Sequence, residues 1–233
     1  RGRRLQASAD RTNYKLQGNY PLDVGRGQRY IHLTPIVSWE DGDGCMLVPS
    51  LIPPCTAFLF QEASKGDYEA IGSGFFLMMQ EEDSYFEYLV TCRHVVQPLL
   101  DTGEPVYVRL EQSDGGVAHR QVEGEWYFHR DKTVDLAVAH VLPRRTEGLT
   151  THFISHSNMY LDDQRKRFGH EISIGAEVFF SALFEPYHGY QSNLPLIRHG
   201  HIALLSNESI PGPYGPANYY LLEAMVFPVN SGA

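Results

Sequence analysis

The chain is poor in cysteine, in basic charge and in long apolar runs, and each shortage removes a class of protein. Three cysteines, with no Cys-x-x-Cys pair, are too few and too odd for a full disulfide framework. Cys45 and Cys55 can pair across the Pro-rich turn between them, whereas Cys92 lies in an apolar stretch and reads as a buried thiol. The balance favours a reducing compartment, cytoplasmic rather than secreted. Lys and Arg number 19 against 28 Asp and Glu, and the net charge of -9 leaves no electrostatic footprint for nucleic acid or an anionic membrane. The longest apolar stretch, Met46 to Phe60, is broken by Pro49, Pro53 and Pro54 and does not read as a membrane span. The chain opens on Arg, so a targeting segment can already have been removed. Arg1, Arg3 and Arg4 read as a solvated basic tail.

Metal and cofactor signals are equally thin. The eleven His are scattered. His199-Gly-His201 would place two imidazoles on one face of a strand, but no carboxylate or Cys is spaced along the chain to join them, so no metal is expected there. No cofactor is implied.

What is present is a core-forming, β-rich composition. A 233-residue chain with 42% hydrophobic and 12% aromatic residues can bury one large two-lobed all-β domain or two small ones. Residues 1–54 are polar and Gly-bearing at first, with a possible strand from Tyr30 to Val37 broken at Glu40-Asp-Gly-Asp-Gly44, and read as an arm or accessory segment. Six candidate strands follow: Thr56 to Gln61, Gly74 to Met79, Tyr85 to Thr91, Pro105 to Glu111, Val117 to Trp126 and Asp135 to Val141. That number is what a small closed barrel requires. A polar connector covers 143–170, with Leu161 to Arg167 as the one stretch suited to a helical turn or an exposed loop, before strands resume at Ala176 to Phe184, Leu196 to Leu205 and Tyr219 to Phe227. The expected organisation is an arm (1–54), a first barrel (55–145) and a second (146–233).

Three residues carry the chemistry: His94 closing a strand, Asp135 opening an apolar one, and Ser231 in a turn of small residues. A Ser hydroxyl is a weak nucleophile until a neighbouring imidazole takes its proton, and the imidazole in turn needs a carboxylate to hold its productive tautomer. Taken singly, each residue is ordinary turn chemistry; their order and setting give them meaning.

That setting resembles the trypsin-like (chymotrypsin-fold) serine peptidases over about residues 55–233, and their bacterial branch more than the digestive enzymes. Gly72-Ser-Gly-Phe-Phe-Leu and Tyr88-Leu-Val-Thr-Cys-Arg-His94-Val-Val are similar to "G-S-G-F … V-T-A-x-H-V". Trp126 to Val138, containing Val-Asp135-Leu-Ala-Val, resembles "H-x-D … D-L-A-V". Leu196-Ile-Arg-His-Gly-His-Ile-Ala and Tyr220 to Ala233 are similar to "V-R-x-G-x-I-A … L-x-D-A-x-x-x-P-G-N-S-G-G". The resemblance implies two packed six-stranded antiparallel β-barrels with the site between them. It implies a serine endopeptidase acting through an acyl-enzyme, with Ser231 as nucleophile, His94 as general base and Asp135 as its orienter, and with the backbone N–H groups of Val229 and Ser231 as the oxyanion hole. Protein or peptide would be the substrate.

The chain departs from the pattern in several places. Val229 stands where the family has Gly, and a β-branched residue does not readily adopt the conformation Gly takes there. Three outcomes are open: a hole assembled only with substrate or partner, an accommodated Val with a normal site, or a pseudoprotease kept as a protein-binding module. Ala233 replaces a second Gly, and Asn230 replaces the Asp by which digestive enzymes mature, so no such zymogen switch is expected. Glu223 and Met225 fall where the family often places the base of its primary pocket; Met225 as core and Glu223 as a turn acid fit equally well. In the family the second barrel continues past the nucleophile. The chain is therefore expected to be a fragment, or to be completed by a protein partner.

Overall fold

The computed structural model describes residue 48 and residues 50–141, 148–158, 173–206, 208–226 and 229–233. The expected strand at Tyr30 to Val37, the pairing of Cys45, most of the 1–54 arm and the Leu161 to Arg167 stretch lie outside the described residues.

The described chain is all-β with one α-helix. Its strands are β1 (Thr56–Ser64), β2 (Asp67–Glu81), β3 (Ser84–Thr91), β4 (Tyr107–Gln112), β5 (Val117–Gln121), β6 (Trp126–Phe128), β7 (Ala137–His140), β8 (Leu149–Thr150), β9 (Ile154–Ser155), β10 (Glu177–Ala182), β11 (Leu196–Leu205) and β12 (Tyr220–Ala224). The helix, α1 (Arg93–Thr102), follows β3. A nine-stranded sheet runs β5-β4-β1-β2-β3-β7-β6, with β8 on β4 and β9 on β2, and a second sheet runs β10-β11-β12. All pairings are antiparallel except β2 with β9. Residues 148–158 thus pair with the first sheet.

The first strand explains why the two sheets hold together. Thr56 to Phe60 are all buried, as a near-continuous apolar run covered on both faces requires. Side chains alternate along it. Ala57 and Leu59 enter the main core with Leu89, Val96, Val106, Val108 and Ala139. Phe58 and Phe60 enter a second cluster with Leu183, which follows β10, and with Val229. A Thr56–Ser181 hydroxyl contact at 2.6 Å ties β1 to β10 directly.

The helix was not legible beforehand, and it corrects the local setting of the imidazole. The strand ends at Thr91, Cys92 is the N-cap in extended conformation, and His94 is the second residue of α1 rather than the end of a strand. Pro98 and the β-branched pair Val95-Val96 argue against a helix by propensity. Burial of Val95, Val96 and Leu99 against the main core outweighs that, and Gly103 at φ 77 stops the helix with its N–H turned back to Leu100 O.

Candidate active site

His94 and Asp135 meet in two contacts. The His94 N–H of the first helical turn donates to Asp135 Oδ1 at 2.9 Å, and Nδ1 pairs with Oδ2 at 2.5 Å. The carboxylate is one-fifth exposed and the imidazole 41% exposed, so the pair sits at the surface with one ring edge open. Position follows from neighbours on each side. Asp135 lies two residues before β7, in a loop whose Asp131 carboxylate accepts from Thr133 N and Oγ1. Arg93 reaches from α1 to donate to His129 O and lies over the Phe128 ring, 5.3 Å from its centre, so helix and loop are held in register.

Ser231 comes from the other end of the chain and is fixed by its backbone. Ser73, fully buried in the middle of β2, is the anchor: its N–H donates to Ser231 O at 2.8 Å, and its Oγ both donates to Val229 O at 2.8 Å and accepts from Leu183 N at 2.9 Å. Thr91 Oγ1, one residue before the helix cap, donates to Ser73 O at 2.6 Å. The 229–233 turn is therefore bolted to β2, and through Thr91 to the end of β3. Asn230 is buried and donates through Nδ2 to Leu183 O at 2.8 Å. An ionised Asp has no proton for that carbonyl, which gives Asn230 a structural reason of its own.

Packing there is close enough to demand glycine. Gly232 has φ 92, and a Cβ added to it would lie 2.0 Å from Ser73 O and 2.4 Å from Thr91 Oγ1. A Cβ on Gly72 would meet Val95 at 2.6 Å and Ser231 O at 3.3 Å. The turn and the helix start are thus pressed onto the Gly72-Ser73 segment. Ser231 is exposed, and among the described residues no hydrogen bond joins its hydroxyl to His94.

Val229 stands at φ 59, in the left-handed region where a β-branched residue is strained. The Gly-like backbone is thus kept with Val in place. Its side chain packs against the Phe58–Phe60–Leu183 cluster and its carbonyl takes the Ser73 hydroxyl, which together hold the unfavourable conformation.

Three residues that sequence reasoning did not assign to the site belong there. Ser73 and Thr91 lay inside the quoted motifs without a role. Tyr214, in the loop closed by the Ile210–Ala217 bridge, stacks its ring near His94, 6.3 Å between centres. Burial, then the charge of Asp135, raises the Tyr214 phenol above its ordinary value. Nothing local in the sequence marks Tyr214, because its neighbours are contributed by the other sheet.

The Cys92 thiol, half-buried, lies beside Asp135; burial first, then the Asp135 charge, pushes it up to about 11. Cys55 is a free buried thiol whose Sγ donates to Leu51 O. Among the described residues, one group of three ligand-type side chains converges within 4.8 Å: Cys92, His94 and Asp135. The register does place Glu177 and Glu223 opposite His201 on the two flanking strands, so carboxylates do reach the strand that carries His199 and His201, contrary to the linear spacing; their ligand atoms do not converge.

Glu223 and Met225 stand on and just beyond β12, both exposed, with Met225 Sδ 3.8 Å from Arg198 Nη1. Met225 is not core. A shallow cavity lined by Leu100, Gly103, Val122 and Trp126 lies at the far end of α1 and contains none of the site residues.

No protein-family model matches the chain, and no curated protein matches it. Among solved structures it is similar to a crystal structure of Deg5, at 20% identity and a TM-score of 0.50, over 77% of this chain and 72% of that one. The likeness, with the antiparallel sheets, establishes an all-β chymotrypsin-like fold.

Proposed function

We propose that the chain is a serine endopeptidase in which Ser231 attacks the peptide carbonyl, His94 takes its proton and returns it to the leaving amine, and Asp135 holds the imidazole in the required tautomer. The observation that carries this reading is the double contact of His94 with Asp135, through backbone N–H and ring nitrogen, beside a turn bolted to the same strands. That arrangement gives the ring a fixed orientation with Nε2 left for the nucleophile. The likeness to Deg5 supports the chymotrypsin-like fold that this chemistry needs.

The oxyanion hole falls to the N–H groups of Val229 and Ser231. The positive φ of Val229 favours the reading in which Val is accommodated. Substrate is a protein or peptide, bound across the exposed His94 edge; Glu223 and Met225 are the residues assigned to the side-chain pocket. Bacterial origin, a cytoplasmic setting and a completing or activating protein partner belong to the same proposal.

A second reading is a trypsin-like pseudoprotease acting as a protein-binding module. The specific observation favouring it is the missing Ser231–His94 hydrogen bond, although such bonds often tighten only with substrate. Digestion of an unfolded protein substrate separates the two. The hydrolase reading expects cleavage by the full-length protein and none by Ser231→Ala; no cleavage by either, in folded protein, supports the binding module.

A further inference from the structure

We infer that Cys92, His94 and Asp135 form a zinc-binding site that, when filled, disables the His94–Asp135 pair. The inhibitory consequence rests on the hydrolase reading above; the binding does not. The Sγ, an imidazole nitrogen and a carboxylate oxygen already lie within 4.8 Å of one another. Zinc bonds of about 2.3 Å to sulfur and about 2.0–2.2 Å to nitrogen and oxygen put tetrahedral ligands roughly 3.3–3.6 Å apart. The widest gap therefore closes by about 1 Å, while the 2.5 Å His94–Asp135 contact opens by a little less. Both are side-chain adjustments, and the 41% exposure of His94 leaves room for them and for a water as fourth ligand.

The donor set selects the ion. One thiolate, one imidazole and one carboxylate suit zinc, whereas calcium and magnesium require a shell of oxygens that these residues do not provide. On binding, Cys92 gives up its thiol proton to solvent, and the resulting thiolate and the Asp135 carboxylate balance the two positive charges of the ion. Cys92 is the informative member: the similar family motif has Ala at its place, and the hydrolytic chemistry gives a thiol nothing to do there.

Zinc at Nδ1 replaces the hydrogen bond to Asp135. The neutral imidazole then carries its proton on Nε2 and cannot accept the one from Ser231. Filling the site switches off the base without moving the nucleophile.

The test is titration of full-length, reduced protein with cobalt(II) as a spectroscopic stand-in for zinc, followed by displacement with zinc. The expected result is one thiolate-to-cobalt charge-transfer band at one ion per chain, kept in Cys45→Ser, lost in both Cys92→Ala and Cys92→Ser, with zinc affinity in Cys92→Ser down by more than the roughly 10–100-fold that loss of a mere hydrogen-bond partner of a ligand costs. Two Cys92 variants guard against a folding defect in one. Absence of the band in the wild type, or its survival without Cys92, overturns the site. Fluorophosphonate labelling in the same samples separates the two readings. Labelling blocked by zinc and restored by a chelator supports the inhibitory role. The band without labelling in metal-free protein keeps the site and removes the hydrolase. Labelling that ignores bound zinc removes the inhibition.

Discussion

Val229 gives the sharpest stability prediction, because its backbone and its side chain pull in opposite directions. At φ 59 a residue with a Cβ is strained by roughly 1–2 kcal/mol. Against this, the partly buried isopropyl group packs on Phe58, Phe60 and Leu183, worth about half of a full Val burial, or roughly 1 kcal/mol. Val229→Gly removes both and adds unfolded-state entropy of about 0.5–1 kcal/mol. Its net effect is within about 1 kcal/mol of zero by this reckoning. Val229→Ala loses most of the packing and keeps the Cβ in the left-handed region, so it is destabilised by up to about 1 kcal/mol. The expected order is Gly at least as stable as Ala, the reverse of the usual preference. Urea denaturation of the three proteins reads it directly, and thermal melting translates each kcal/mol into about 2–4 °C for a chain of this size. If Val229→Ala is instead more stable than Val229→Gly by the ordinary 0.5–1 kcal/mol, the positive φ is not what the position demands.

Gly232→Ala should be far worse than Gly66→Ala: both have positive φ, but the first added Cβ lands 2.0 Å from Ser73 O and the second meets nothing within 4 Å. Losses of more than about 3 kcal/mol and of about 1 kcal/mol are expected by chemical denaturation, with equal losses refuting the close approach. Asp135→Asn should leave the fold intact yet cut the fluorophosphonate labelling rate by about 10⁴, since the amide donates where the carboxylate accepts; a loss under tenfold would remove Asp135 from the mechanism. His119, stacked on Tyr68 at 4.0 Å, is held down to about 4, chiefly by burial and then by Arg109 and His188. Between that value and the usual 6.5 the unfolded chain binds the proton and the folded one does not. His119 therefore costs stability progressively as pH falls from about 6.5 to about 4, and nothing above. The wild-type loss should exceed that of His119→Phe by about 1–2 kcal/mol after allowance for partial exposure; parallel pH profiles would contradict it.

The sequence exposed the strands well and the contacts between them poorly. Apolar runs bounded by turn signals mark β1, β3 and β4 closely and alternation marks β11, although the sequence does not show that β1 feeds two cores at once. Val117 to Trp126 reads as one strand but divides into β5 and β6, since the pattern shows burial and not where pairing changes partner. The helix at Arg93–Thr102 escaped for the same kind of reason: Pro98 and Val95-Val96 obscure its local signal, and packing on the core supplies what propensity lacks. The second sheet has three described strands, as the spacing after 171 suggested, against the six of a whole barrel.

At the site, His94 and Asp135 were legible because motif context singles them out, and the fold brings them together across 41 residues of sequence. The roles of Ser73 and Tyr214 were not. A buried serine that bonds three other segments looks in sequence like any Ser between glycines, and a tyrosine delivered from the other sheet has no spacing to betray it.

The central claim is that Ser231 is a nucleophile activated by His94. Fluorophosphonate labelling of the full-length protein, with the modified residue located by mass spectrometry, tests it most directly, with Ser231→Ala and His94→Ala as controls. The account predicts adduct on Ser231 in the wild type and none in either variant, each variant melting as a folded protein. Labelling that persists in His94→Ala, or no labelling of a folded, metal-free wild type, would contradict it.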